Sequence, residues 1–338
     1  MTNTIKLSVI VPIYNEKRYI VKLLESLCAN NYPYSDMEIL LLDGGSTDGT
    51  REIVSEYCVK YPHLRLVDNP NKFQVFALNV GIEQAKGQNI IRCDAHAEYP
   101  SDYFRTLSAL LDELPADLGN VGIKADTTAP DGSDQSILIA YLLSSKYGVG
   151  NSHRSIRGKG LVEADTLLFG AWRKRVFDDV GLFDTDFIRG QDYEHNLRLR
   201  EKGYKVIVDT DRSFKYYTRS SYIKFCKMMF QYAYAKPFII RKHRRSLNFR
   251  SLVPLIFFLS SVLCLPVMPT LSGGLLLGYS AFSGVVAKDF YFKERNALLA
   301  SRIPLYVFSQ HLSHALGTLV GFFDAFVLRK KMFLEHTR

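Results

Sequence analysis

Short apolar runs and helical periods alternate through the first hundred residues. The runs at 6–14, 38–43, 64–68 and 89–94 are rich in Val, Ile and Leu, and the segments 16–29, 50–61 and 74–86 between them carry helix-period patterns. Such alternation predicts an α/β fold whose parallel sheet is covered on both faces. Further on, 101–114, 134–146, 172–181 and 192–202 read as helices and 204–209 as a strand. The stretch 147–161, YGVGNSHRSIRGKGL, is rich in Gly, Ser and basic groups and predicts a mobile loop. No internal repeat or low-complexity segment is present.

The pattern changes after residue 250. Residues 252–268 and 270–287 carry no charged side chain. Each is slightly short for a span of about 20 residues. Joined through Pro266 and Pro269, they predict a helical hairpin at 252–287, the soluble alternative being two buried core helices. Gly274 and Gly278 offer a small-x-x-x-small face for close helix packing. Arg241 to Arg245 form a basic cluster ahead of the hairpin, as expected of a cytoplasmic flank. Residues 303–328 are apolar but include Gln310, His311, His314 and Asp324. Were they to span, Arg329, Lys330 and Lys331 would be left on the wrong side, so a segment lying in the interface fits better. His311 and His314, at i and i+3, read as structural. The chain therefore divides into 1–245 and a membrane-associated helical region, 246–338.

Charge and cysteine usage narrow the classes of function. The formal net charge of +9, from 43 basic and 34 acidic residues, suits an anionic partner. The basic groups flank the hydrophobic segments instead of interleaving with aromatics, which argues against nucleic acid. Five cysteines at 28, 58, 93, 226 and 264 form no C-x-x-C pair, so neither a disulfide framework nor a zinc site is suggested. The start of the chain turns polar too soon for a secretory signal, which puts the first half on the cytoplasmic side.

Three strand ends carry the chemistry. Residues 90–96, IIRCDAH, end an apolar strand in Asp94 and, two residues later, His96. A strand projects i and i+2 to one side, so both can address one ion. A hard divalent cation held by so few protein ligands keeps open positions for diphosphate oxygens. VIVPIYNE, residues 9–16, is a buried strand in which Pro12 should end the pairing, leaving Asn15 and Glu16 at the edge where ligands lie. Alternatively, Asn15 caps a helix. LLDGGSTDGT, residues 41–50, repeats the design: a strand ending in Asp43, a glycine-containing loop, then a helix that Ser46 or Asp48 can cap. Backbone N–H groups in such a loop approach phosphates or a nucleoside, and the spacing is neither G-x-G-x-x-G nor a P-loop.

Taken in order, VIVPIYNE, DGGSTDGT, LNVGI, DAHAEYPSDY, SSKYGVG, VEADT with FGAWRKRVFDDVGLFD, and QDYEHNLRLREKGYKV resemble the family 2 inverting glycosyltransferases of GT-A fold. The likeness is to the branch that builds exopolysaccharides such as succinoglycan, and it runs over residues 6–245. It implies a mixed sheet flanked by helices and a nucleotide-sugar donor, a UDP-sugar foremost. Pro12 and Glu16 would then contact the nucleoside, Asp43 the base, and Tyr14 and Lys72 would join them on the donor side. Asp94 and His96 would hold Mn2+ or Mg2+ against the donor diphosphate, and Asp192 would deprotonate the acceptor hydroxyl.

This chain departs from the family pattern at several positions. It has Asp43-Gly44 for the usual Asp-Asp, Asp94-Ala95-His96 for Asp-x-Asp, Gln191-Asp192 for Glu-Asp, and Leu78 for the usual Arg. An imidazole ligand shifts the metal expectation towards Mn2+. Loss of the neighbouring acid, together with the helix N-terminus, predicts an Asp192 that ionises readily. The processive Gln-x-x-Arg-Trp motif is absent, so long-chain synthesis is not expected. Arg154, Arg157 and Lys159 would close over the diphosphate, or else form an exposed basic loop.

The expected protein is a transferase on the cytoplasmic face of the plasma (inner) membrane, acting on a lipid-linked saccharide. A polyprenyl-phosphate sugar synthase and a catalytically silent scaffold are the rival readings.

Overall fold

The computed structural model describes residues 5–149, 158–244 and 251–332. The chain forms two compact units: the first holds residues up to 126 together with 151–217, and the second holds 127–150 together with 218 onward.

The first unit is built on nine strands: β1 (Leu7–Ile13), β2 (Met37–Asp43), β3 (Leu64–Asp68), β4 (Asn89–Arg92), β5 (Ala97–Glu98), β6 (Leu118–Thr128), β7 (Leu161–Glu163), β8 (Gly170–Arg173) and β9 (Lys205–Tyr217). They form one sheet in the order β3-β2-β1-β4-β8-β6-β9-β5, with β7 on β9. The predicted β1–β4 quartet is parallel. Beyond β4 the sheet turns antiparallel through β8. The mixed sheet that the family resemblance implies is thus present, although the residue pattern alone read 172–181 as a helix and only 204–209 as a strand.

In chain order the helices are α1 (Ile20–Cys28), α2 (Thr50–Lys60), α3 (Gln74–Gln84), α4 (Tyr103–Glu113), α5 (Asp134–Ser144), α6 (Lys146–Val149), α7 (Arg175–Val180), α8 (Gln191–Glu201), α9 (Tyr222–His243), α10 (Val253–Leu263), α11 (Pro269–Glu294) and α12 (Ala297–Phe322). Residues 147–149, expected to open the mobile loop, fall in α6, and the loop's centre at 150–157 lies outside the described residues.

Strand alternation divides the core of the first unit. Leu7, Val9 and Val11 face a cluster with α1 and α4, whereas Ile10, Leu40 and Leu42 face a second with α3 and Trp172. Pro12 ends pairing on one side only. The Ile10 carbonyl accepts from Cys93 of the β4 segment, and pairing with β4 stops at Ile10–Arg92. Pro12 points the same way, so its missing N–H falls where no partner strand remains, while pairing with β2 continues to Ile13–Asp43.

The second unit is helical. Its core joins Leu138 and Leu142 of α5, Phe225 and Met229 of α9, Val286 and Phe290 of α11, and Ile303 and Val307 of α12. Ser133 and Asn296 cap α5 and α12 by accepting from Ser136 and Leu299 backbone N–H groups. The 22-residue α9, in a stretch the sequence pattern left unassigned, carries Pro237 inside it. The predicted hairpin appears as α10 and α11, but α11 runs on to Glu294. It is the one helix among the described residues long and apolar enough to cross a membrane. α12 covers most of 303–328 and passes into a π-helical turn at Phe323–Val327.

The predicted glycine face is misplaced. A Cβ added at Gly274 or Gly278 meets nothing within 4 Å. The close approach lies instead at Gly317 and Gly321 of α12, where a Cβ would sit 2.2 Å from the Phe230 carbonyl oxygen and 2.6 Å from that of Tyr234. The spacing is the same small-x-x-x-small, now used against backbone of α9. Gly317→Ala should therefore destabilise the second unit by about 1–3 kcal/mol, the usual scale of overpacking. Gly274→Ala should be neutral or mildly stabilising, because it removes only a helix-interior glycine. Thermal melts of the two variants in detergent check the contrast; equal effects would count against the contact.

Candidate active site

The carboxyl ends of β1, β2 and β4 lie side by side, and the loops that leave them are tied together. Asn15 takes a left-handed backbone (φ 53°). Its N–H donates to Ser46 Oγ at 2.8 Å and its Oδ1 accepts from the Thr47 N–H at 2.8 Å. Asn15 is thus a loop clasp and not a helix cap, since α1 begins only at Ile20. The Glu16 N–H donates to Thr50 Oγ1 (2.8 Å) and the Lys17 N–H to Asp48 Oδ2 (3.0 Å). Asp48 Oδ1 accepts from the N–H of Thr50, the first residue of α2. These bonds hold the Asp48 carboxyl below its ordinary range against the opposing effect of burial.

Asp43 closes β2 and is buried. Ser46 Oγ donates to its Oδ1 at 2.6 Å, and Arg51 pairs with its Oδ2 at 3.0 Å and with Asp68 at 2.7 Å. The next residue must be small. A Cβ at Gly44 would lie 2.9 Å from the Lys72 carbonyl oxygen and 3.2 Å from the Tyr14 ring. Lys72 itself is left-handed (φ 63°). The absence of a second Asp at 44 thus has a steric reason, and Tyr14, Lys72 and Asp43 converge on one glycine. Pro12, by contrast, is buried within β1, so the first residue of its segment to offer surface is Tyr14.

Asp94 and His96 lie not on a strand but in the turn after β4, which stops at Arg92. Same-side projection does not apply there. Instead Asp94 Oδ1 accepts from the His96 N–H at 3.0 Å, closing an Asx-type turn. His96 stacks edge-on against Tyr19, and its Nε2 lies 3.3 Å from Glu16 Oε2. Glu16, expected on the nucleoside, is buried against this imidazole. Among the described residues no three His, Cys, Asp or Glu side chains form a metal cluster. A buried carboxylate and an imidazole on one tight turn suit an ion that takes its remaining ligands from a diphosphate.

Asp192 lies in the first turn of α8 and pairs with Arg92, the last residue of β4. Burial raises its carboxyl above the ordinary value; Arg92 opposes that shift and the charge of Asp94 adds to it. This is opposite in direction to the readily ionised Asp192 expected from the helix N-terminus, and burial is the main cause. Two residues that sequence reasoning passed over connect the groups. Gln74, which opens α3, donates to Asp94 Oδ2 at 3.2 Å and accepts from Gln191 Nε2 at 3.0 Å. Arg92 had a visible signal, a charge inside an apolar strand. Glu194, the nearby carboxylate, is fully buried and forked to Arg198 at 2.7 and 2.9 Å. Below it His195 packs on Phe183 and Phe177, and burial lowers its pKa to about 3. Arg154 and Arg157 lie outside the described residues; Lys159 is exposed.

Comparison with known proteins follows this geometry. The model of the family described as Glycosyl transferase family 2 matches residues 8–179. The dolichyl N-acetyl-alpha-D-glucosaminyl phosphate 3-beta-D-2,3-diacetamido-2,3-dideoxy-beta-D-glucuronosyltransferase of Methanococcus voltae is 35% identical over 243 residues, 70% of this chain and 74% of that protein. Succinoglycan biosynthesis protein ExoA of Rhizobium meliloti (strain 1021) is 30% identical over 257 residues, 75% of this chain and 76% of that protein. Among solved structures, mannosyltransferase PcManGT from Pyrobaculum calidifontis, in complex with GDP-Man and Mn2+, superposes with a TM-score of 0.57 at 18% identity, over 91% of this chain and 86% of that one. That last likeness is one of fold.

Proposed function

We propose, for a chain that belongs to glycosyl transferase family 2, that it moves a sugar with inversion from a nucleotide-diphosphate donor to a lipid-linked saccharide in cell-surface or extracellular polysaccharide synthesis. The observation that supports this reading is that Asp192, the proposed base, pairs with Arg92, while Gln74 and Gln191 link the start of α8 to the Asp94 turn. The similarity to an enzyme named for a dolichyl-phosphate-linked sugar and to ExoA supports the acceptor class. A UDP-sugar is the donor proposed.

Asp43, Tyr14 and Lys72 line the donor side around Gly44. Asp192 accepts the proton of the acceptor hydroxyl as its oxygen attacks the anomeric carbon and the bond to the diphosphate breaks. A raised carboxylate pKa brings the base nearer the operating pH, where general catalysis is most effective. Asp94 and His96 would hold a divalent cation, Mn2+ or Mg2+, which neutralises charge on a leaving diphosphate. The apolar α11 holds the enzyme at the cytoplasmic face of the plasma membrane, close to its lipid-borne acceptor.

Three outcomes follow. Asp192→Asn keeps shape but cannot take a proton, so kcat should fall by at least about 10²-fold with near-normal donor binding. Glu194→Gln should lower stability through its Arg198 fork and leave most of kcat. In the wild type, the acid limb of kcat should lie above the ordinary Asp range near about 4, since activity is lost as Asp192 protonates through its raised pKa. Kinetics on both variants across pH decide; an active Asp192→Asn beside a dead Glu194→Gln overturns the assignment.

The metal reading predicts turnover that stops in excess chelator and returns with Mn2+. Asp94→Ala should weaken donor-diphosphate binding and activity together. Full activity in chelator would rule the ion out.

The membrane reading predicts sedimentation with membranes and release only by detergent. Recovery of the full chain in the aqueous fraction would refute it.

A further inference from the structure

Arg92 is a long cation almost wholly inside the protein, 2% exposed, at the last position of a central strand. It pairs in register with Gly170 of β8. Its guanidinium lies over the Phe169 ring, 5.2 Å from the centroid. Phe169 and Gly170 both have left-handed backbones, with φ 68° and 117°. A bulky residue there is a rare and strained arrangement, of the kind that persists where the surroundings over-determine it. The surroundings do so here. A Cβ at Gly170 would meet Asn120 Oδ1 at 2.1 Å, and that oxygen accepts the Ala171 N–H at 3.2 Å. Asn120 Nδ2 then donates to Asn196 of α8 at 2.9 Å. The backbone twist that puts the ring under Arg92 is therefore tied to the helix that carries Asp192.

Burying an arginine is costly unless a partner compensates it. The partner is Asp192, bonded through Oδ1. The Asp192 side chain remains 19% exposed, and the bond to Arg92 uses Oδ1 and not Oδ2. Asp94 is the other charged group acting on this carboxylate; Glu194 is turned away into its Arg198 fork.

We propose that Arg92, supported by the Phe169 ring, is a positioning residue for the reaction: a cation fixed to the sheet that aims the Asp192 carboxylate at the acceptor hydroxyl and does not bind the donor. The proposal rests on Asp192 being the base. Arg92→Met keeps length and apolar bulk but removes the charge. It should lower kcat at least about tenfold while the donor Kd, measured by equilibrium binding of the nucleotide-sugar, stays within about twofold. In an Asp192→Asn background the same change should cost nothing further, because the group it acts through is gone. Phe169→Leu, a milder change, should show a smaller loss of kcat with the same unchanged Kd, and it serves if Arg92→Met does not fold. Weakened donor binding would make Arg92 a donor ligand, and additive losses in the Asp192→Asn background would place its action elsewhere; either overturns the proposal. Retained turnover by Asp192→Asn alone would refute the base assignment, a separate result.

Discussion

The parallel pairing of β1 with β2 on one side and β4 on the other is the constraint on which the first unit depends. It fixes three segments far apart in sequence at one edge: residues 14–16, 43–48 and 94–96. Once the strands are in register, a few short local hydrogen bonds tie the loops together. Asn15 reaches Ser46 and Thr47, Lys17 reaches Asp48, and the Asn69 N–H donates to the Asp43 carbonyl oxygen. Ladder register is strongly specified where both faces are buried, as every position of β1 and β2 is.

The parallel half of the fold was legible because each strand is an apolar run and each connection carries a helical period. The antiparallel half was implied by the family resemblance and not by the residue pattern. β8 is four residues long and runs within two residues of α7, so its apolar positions blend into the helix pattern that follows. After Asp209, β9 buries only Phe214 and carries Asp211, Arg212 and Lys215 exposed, so no apolar run marks its length. In the second unit α9 contains Pro237. α9 forms regardless, since tertiary packing of Phe225, Met229 and Phe238 outweighs one missing backbone bond.

For the site, residue types were readable and their geometry only partly so. Asp43, Asp94, His96 and Asp192 stand at element ends, as the motifs suggested. The strand rule failed for Asp94 and His96 because β4 ends two residues earlier, a boundary that sequence does not resolve. The ionisation of Asp192 was misjudged because a helix N-terminus is visible in a sequence and burial is not. Gln74 and Arg92 went unnoticed because their partners, at Gln191 and Asp192, lie about a hundred residues away and come close only through the sheet.

The crowding at Gly44 has a thermodynamic consequence. Lys72 is held left-handed by its N–H bond to the Asn69 carbonyl oxygen, and Asn69 is in turn latched to the end of β2. The backbone around Gly44 is thus ordered by folding itself. On the proposed reading of this edge as the donor site, a nucleotide would meet a main chain already immobilised, and the conformational entropy lost on binding would fall on the ligand and on exposed side chains such as Lys72. Slackening one latch would lower affinity without removing a single contact to the ligand.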